Sequence, residues 1–369
     1  MNTTSPITDS NKGIIFIPDI SGFTQFIKQT EISHSQHIIT ELLELIIRET
    51  GEAFTLSEIE GDAVLFYNTN STPDFEKLTL LCITIFKKFH QHLKYYARDK
   101  ICQCGACSST EKLSLKFIFH SGTITRYRVG GRQKLLGEDV IVAHRFLKNS
   151  IDHSEYILFS ESFIKASRLE DHQMAALSMS EEKLESLEKS VFYYLTLRSY
   201  RENIEDPLPR NSIAFPKIKS GRMLEILAEP KELLLMLAEP DHRLKWMKSL
   251  KKITLRDQKI NRILSSHECL LGANHLEISI EDVIVNDLGI KLFERALMKR
   301  PHLDFIVLYH LEKKNDKITG IGIGNHFFKT KHWATNIFLL PVFSVMFRLI
   351  NHINLRRLKQ YVEKGYHKK

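Results

Sequence analysis

Two aspartates carry the chemically most suggestive spacing in this chain. Phe16 to Thr24 reads FIPDISGFT, with Asp19 closing an apolar run and Gly22-Phe23-Thr24 opening the next element. Asp62 follows Gly61 in GDAVLFY, within a hairpin signal. A carboxylate at a strand end can hold a hard divalent cation, and N–H groups at a helix start can receive phosphate. If the hairpin lies beside the first strand, the two carboxylates converge, as two-metal phosphoryl chemistry requires. The plainer alternative is that both are caps or turn residues, a common use of aspartate.

A second group is Cys102, Cys104 and Cys107, forming C-x-C-x-x-C in ICQCGACSST. Three thiolates this close could bind zinc with a fourth ligand from His90, His92 or Cys82, or form a redox-sensitive cluster. Three ordinary reduced cysteines account for the pattern equally, since no second pair accompanies it.

These residues need elements to position them. Gly13 to Pro18 reads as a buried strand. Phe26, Ile27, Ile38, Ile39, Leu42, Leu43, Ile46 and Ile47 predict one helix from about Thr24 to Glu49. Phe54–Ile59 and Ala63–Tyr67 predict two strands around Glu60-Gly61-Asp62. Next come a helix from Asp74 to Arg98, a strand from Leu113 to His120 with Gly122 opening a turn, and a helix from Val140 to Lys148. Later strands are expected at Glu155–Phe159 and Val191–Leu197. Strand, helix, two strands, helix, strand is the order of a ferredoxin-like βαββαβ core, so the expected class is α+β. Residues 1–12 are polar and expected to be disordered, 13–200 form the first domain, and 201–215 form a linker with two prolines.

The chain has 369 residues, 43% of them hydrophobic, enough for two domains with real cores. Lys plus Arg is 52 against Asp plus Glu 44, a formal charge of +8. That excess suits a nucleotide or an anionic membrane surface, but it is too diffuse for DNA. Five cysteines argue against a disulfide scaffold. The polar start MNTTSPITDSNKG lacks a signal-peptide core, and the apolar stretch Ile337 to Met346 is short for a bilayer span. The expected location is cytoplasmic.

The two aspartate motifs resemble those of class III nucleotidyl cyclases, which carry a strand–Asp–Ile–x–Gly–Phe–Thr motif and a hairpin Gly–Asp. FIFHSG at Phe117–Gly122 is similar to that family's strand ending in His–x–Gly. GEDVIVAHR at Gly137–Arg145 is similar to its Gly–x–x–Val–Asn–x–Ala–x–Arg helix. The four motifs cover roughly residues 13–199. The resemblance implies that Asp19, Asp62 and the Ile20 backbone hold Mg²⁺ or Mn²⁺, that Gly22, Phe23 and Thr24 cradle phosphate, and that Arg145 steadies charge. It implies a purine nucleoside triphosphate as ligand and a site shared between two protomers, of the same or different chains. The purine-selecting positions fall at Glu58, the residue type of guanylate-selective relatives, and at Lys134, which matches neither the adenine nor the guanine pattern. The family's transition-state asparagine falls at Ile141, which has no donor or acceptor. A homodimer would supply Ile141 to both sites.

The second half, 216–369, is expected to open with a strand and a helix starting at Glu229-Pro230-Lys231-Glu232, followed by many strands and a helix from Pro341 to Lys364. Pro230 to Ser249, PKELLLMLAEPDHRLKWMKS, resembles the START-like (polyketide cyclase and lipid-transfer type) pattern. That resemblance implies a helix-grip fold and an apolar cavity for a hydrophobic small molecule or lipid. Trp246, Phe293, Phe305, Phe327, Phe328 and Trp333 are candidate wall residues, and each could equally be core. Gly320, Gly322 and Gly324 alternate on one strand, leaving a bare face for a ligand or for a closely packed segment. The last helix carries Arg348, Arg356, Arg357, Lys359 and Lys364. It could contact a membrane surface, or pack one face on the sheet and leave a solvated basic face.

Overall fold

The computed structural model describes residues 9–28, 32–70, 72–101, 109–129, 132–183, 189–208, 215–255, 263–271, 274–299, 302–329 and 335–365. The chain divides into two compact units, 1–98 with 108–207 and 99–107 with 208–369.

The first unit runs β1 (Asp9–Ser21), α1 (Phe23–Lys28), α2 (Ile32–Thr50), β2 (Thr55–Glu60), β3 (Ala63–Asn68), α3 (Phe75–Asp99), β4 (Ser114–Val129), β5 (Arg132–Leu136) and α4 (Glu138–Arg145). It continues with β6 (Tyr156–Ser160), α5 (Glu161–Ser167), α6 (Asp171–Ala175), β7 (Ser178–Lys183), β8 (Lys189–Thr196) and α7 (Arg198–Glu202). The sheet order is β2-β3-β1-β4-β6-β8-β7, with β5 paired to β4. Its first four strands, all antiparallel, have the 2-3-1-4 order of a βαββαβ core.

Alternation along these strands gives the sheet two unlike faces. One carries a row of rings from four neighbouring strands, Phe66, Phe16, Phe119 and Phe159. The Phe16–Phe119 and Phe119–Phe159 centroids lie 4.6 and 5.6 Å apart. Truncating one of these fully buried rings to alanine costs about 3–5 kcal/mol. The opposite face carries Ile15, Ile17, Leu65 and Ile118, packed with Val140 and Ala143 of α4. The acidic residues stand on this second face.

Four expectations are corrected. The single helix from Thr24 to Glu49 is two helices, α1 and α2. Phe26 and Ile38 would lie roughly 120° apart on one straight helix, so a single stripe cannot bury both. Residues 9–12 are not disordered: they pair with β4, Asp9 opposite Arg126 through Lys12 opposite Thr123. Gly122 opens no turn, because β4 continues to Val129 and Gly122 pairs with Gly13. Arg201 and Glu202 fall in α7 rather than in a linker.

The second unit contains β9 (Leu224–Ile226), α8 (Pro230–Ala238), α9 (Pro240–Trp246), β10 (Leu250–Leu255), β11 (Ser266–Leu271), β12 (Asn274–Asn286), β13 (Gly289–Met298), β14 (Leu303–Lys313), β15 (Thr319–Phe327) and α10 (Leu340–Gly365). Pro230 and Pro240 sit in the first turns of α8 and α9, where a missing N–H costs nothing. The sheet is a seven-stranded antiparallel meander, β10 through β15, closed at one edge by β9. Helix α10 packs against β15, β9 and α9. The bare glycine face takes up chain. A Cβ at Gly322 would lie 2.6 Å from the Met223 sulfur, and one at Gly324 would lie 2.5 Å from the Lys219 carbonyl.

Candidate functional site

Asp19 and Asp62 come together because β1 and β3 are neighbours. Asp19 pairs with Ala63, and the Ile20 N–H donates to the Asp62 carbonyl at 3.0 Å. Burial, and then the charge of Asp19, raise the Asp62 carboxyl above its ordinary value of 3.8. Lys116 on β4 supplies a third charge, its Nζ 3.1 Å from Asp19 Oδ2 and 3.0 Å from the Leu147 carbonyl. For Asp62, burial and the Asp19 charge together outweigh the opposing pull of Lys116.

Mg²⁺ or Mn²⁺ is the group that the cyclase resemblance implies. Among the described residues no three or more His, Cys, Asp or Glu gather into a metal-binding group. Asp19 and Asp62, with the backbone at Ile20, are the oxygen donors that would hold such a hard cation. Lys116 already pairs with Asp19 Oδ2, so any such cation competes with an ammonium there.

The proposed phosphate turn is short. Gly22 has φ +89°, a conformation other residues adopt only under strain, and its carbonyl accepts from the Phe26 N–H. Phe23 is half-buried, Thr24 is exposed, and α1 is only six residues long. Glu58 on β2 and Lys134 on β5, strands that do not pair, meet directly as an ion pair. Ile141 is exposed on α4. Arg145 closes α4 with Nη1 buried and without a hydrogen-bond partner among the described residues.

The His–x–Gly motif has a structural explanation that its pattern did not reveal. His120 Nε2 lies 3.0 Å from Asp139, and Nδ1 lies 2.9 Å from Ser160, which caps α5. The other Asp139 oxygen accepts from the Thr123 N–H at 2.6 Å. A Cβ at Gly122 would collide with the Asp139 carboxyl, so glycine there lets Asp139 reach β4. Burial lowers His120 below its ordinary 6.5, against the Asp139 contact. Nearby, His144 bonds Glu60 at 2.8 Å, and this contact raises its pKa above 6.5.

The second unit holds a cavity of about 420 Å³ between the sheet and α10. Leu276, Ala296, Phe305, Val307, Phe343 and Phe347 are among its apolar walls. At its polar end Arg243 Nη2 bonds Glu294 at 2.5 Å, and both side chains are about 1% exposed. Arg243 also donates to the Leu237 carbonyl, while its Nη1 has no partner among the described residues. Burial, then Glu294, push the neighbouring Tyr309 hydroxyl upward. Of the expected wall residues, Phe305 lines the cavity. Trp246 is core instead, its indole N–H bonded to the Met236 carbonyl at 2.9 Å. Phe327 packs behind Phe305 and Phe347 at 5.1 and 5.5 Å. Phe293 stacks on Phe215 outside the cavity lining. Trp333, Cys102, Cys104 and Cys107 lie outside the described residues. Sequence reasoning missed Arg243 and Glu294. Fifty-one positions separate them; Arg243 lies within the Pro230–Ser249 stretch, but nothing in that stretch points to Glu294.

A family model described as a protein of unknown function (DUF2652) matches residues 39–156. The uncharacterised protein Rv2561/Rv2562 of Mycobacterium tuberculosis (strain ATCC 25618 / H37Rv) is 30% identical over 126 residues, 33% of this chain and 57% of that protein. The chain therefore spans little more than half the length of that relative. Among solved structures, the catalytic core of a rhodopsin-guanylyl cyclase with converted specificity, in complex with ATPalphaS, is 17% identical with a TM-score of 0.38. That match covers 51% of this chain and 98% of the other. The adenylyl cyclase CyaB from P. aeruginosa is 16% identical, covering 51% and 95%, with a TM-score of 0.38. The guanylate cyclase domain of RhGC from Catenaria anguillulae, in complex with GTP, is 16% identical, covering 51% and 98%, with a TM-score of 0.38.

Proposed function

We propose that the first unit is a nucleotidyl-cyclase-type domain that binds a metal–purine nucleoside triphosphate without efficient turnover, and that the second unit is a START-like sensor for a hydrophobic small molecule. The observation that carries the first part is the acidic pair at Asp19 and Asp62, with Lys116 already on Asp19. An ion held by that pair neutralises triphosphate charge. Ile141 offers no hydrogen bond where the family's asparagine would orient the ribose, so transition-state stabilisation is lost. Glu58 and Lys134, once separated by a base, present an acceptor and a donor. A guanine edge satisfies both, with N1–H and N2–H on the carboxylate and O6 on the ammonium.

Supporting the second part, the cavity is mostly apolar, and its lining includes Arg243, whose Nη1 has no hydrogen-bond partner among the described residues. A molecule with an apolar body and a hydrogen-bond acceptor at one end fits both features.

Calorimetric titration with GTP and ATP in Mn²⁺, alongside a cyclic-nucleotide assay, tests the first part. Binding without product is expected. Cyclic product that disappears in Asp19→Ala would overturn the claim of inefficient turnover, and absence of binding would remove nucleotide from the function. For the second part, Ala296→Phe fills the cavity and should weaken uptake of an apolar fluorescent probe roughly tenfold. Unchanged uptake would move ligand binding elsewhere.

A further inference from the structure

Helix α10 has two unlike halves. In its carboxyl-terminal half one face is buried, with Leu355, Leu358 and Val362 at 4% exposure or less. In its amino-terminal half Val342, Val345 and Leu349 are 63%, 58% and 64% exposed, and Ile353 continues the same stripe. These residues recur at three- and four-residue intervals, so they share one helix face. Ile337 and Phe338, in the turn before the helix, are exposed as well. Soluble chains rarely leave so continuous an apolar patch bare unless something covers it.

The charge on this segment points to what covers it. From Thr335 to Val362 the chain has no Asp or Glu. Arg348, Arg356 and Arg357 are exposed, and none of them meets a carboxylate among the described residues. Met346, Ile353 and Arg357 belong both to the exposed surface and to the cavity lining, so the cavity opens beside the stripe.

Two other occupants fit worse. A second copy of this chain would bring the same arginines face to face. By length and composition the helix could cross a bilayer. Leu355, Leu358 and Val362, however, tie its second half into the core of its own unit.

We propose that the amino-terminal half of α10 docks on an anionic membrane surface. Val342, Val345, Leu349 and Phe338 enter the boundary between headgroups and acyl chains, and Arg348, Arg356 and Arg357 meet lipid phosphates. The cavity mouth then faces the bilayer, where an apolar ligand can pass without crossing water.

Co-sedimentation of the full chain with vesicles tests this, comparing phosphatidylserine-containing vesicles with pure phosphatidylcholine. The wild type is expected to prefer the anionic vesicles. Val345→Asp with Leu349→Asp should lower partitioning by roughly tenfold or more, and Arg348→Glu with Arg356→Glu by about twentyfold. All four sites are exposed, so thermal melting should show each variant folded. Failure of the wild type to sediment, or equal partitioning of variants and wild type, would overturn the proposal. So would light scattering that shows a dimer dissolved by the aspartate pair, since that would give the face to a second copy.

Discussion

The first unit spreads its charges over one face of a sheet, where they neutralise one another. The second hides a single ion pair at the end of an apolar cavity. On the sheet face Lys116 and Asp19 are mostly covered, while Glu58 with Lys134 and Glu60 with His144 pair near water, Lys134 and Glu60 keeping more than a third of their side chains exposed. Such pairs contribute little to stability, so a ligand can exchange them at small cost. Arg243 and Glu294 are dry, and neither can lose its partner cheaply. The first arrangement suits a site that rearranges around a charged ligand. The second suits a fixed wall.

The largest test of that contrast is Arg243→Met, which leaves Glu294 buried and unpaired. It should destabilise the chain by about 3–5 kcal/mol in urea unfolding, while Arg243→Met with Glu294→Leu should recover most of the loss. If the single and double variants are equally unstable, packing and not charge sets the cavity wall.

Lys116→Met probes the other side. Removing the ammonium should raise Mn²⁺ affinity about tenfold, or ~1.4 kcal/mol, by calorimetry. Unchanged affinity would mean that Lys116 does not compete for the carboxylates.

Asp62→Asn should stabilise the fold at neutral pH, by under about 1 kcal/mol once solvent screening is allowed for. The sign follows from its raised pKa. The folded state holds the Asp62 proton to higher pH than the unfolded chain does. Wild-type stability therefore falls as pH rises from 3.8 through the raised value, and the variant escapes that fall. Melting curves across acidic pH should show the gain shrinking toward 3.8.

The smallest effect belongs to His144. Its raised pKa, set first by the Glu60 contact, contributes stability that is fully present below its ordinary 6.5. That stability is lost as pH rises through the raised value. His144→Gln should flatten this slope, a change of about 0.5 kcal/mol at most. An unchanged slope would show the Glu60 contact to be inert.

Much of the first unit was legible in the chain. Apolar alternation announced β1 and β3, and the Gly61 turn announced the hairpin that brings Asp62 beside Asp19. The strand extension through Gly122 was hidden, because a glycine inside a strand reads as a stop until a neighbour such as Asp139 is seen to need its space. The aromatic residues of the second unit were recognisable as buried, but not as wall or core. Trp246 and Phe305 share that character in sequence and differ only in what the fold sets against them.

By itself the sequence determined the alternation of strands and helices, the two-unit organisation and the residue types available for chemistry, because these depend on local periodicity and composition. The tertiary structure alone decided that Lys116 sits on Asp19, that Glu58 meets Lys134, that Arg243 finds Glu294, and that half of α10 stays uncovered. Each of these depends on the pairing of segments distant along the chain. Side-chain charge and hydrophobicity carry no record of which partner the fold will bring within reach.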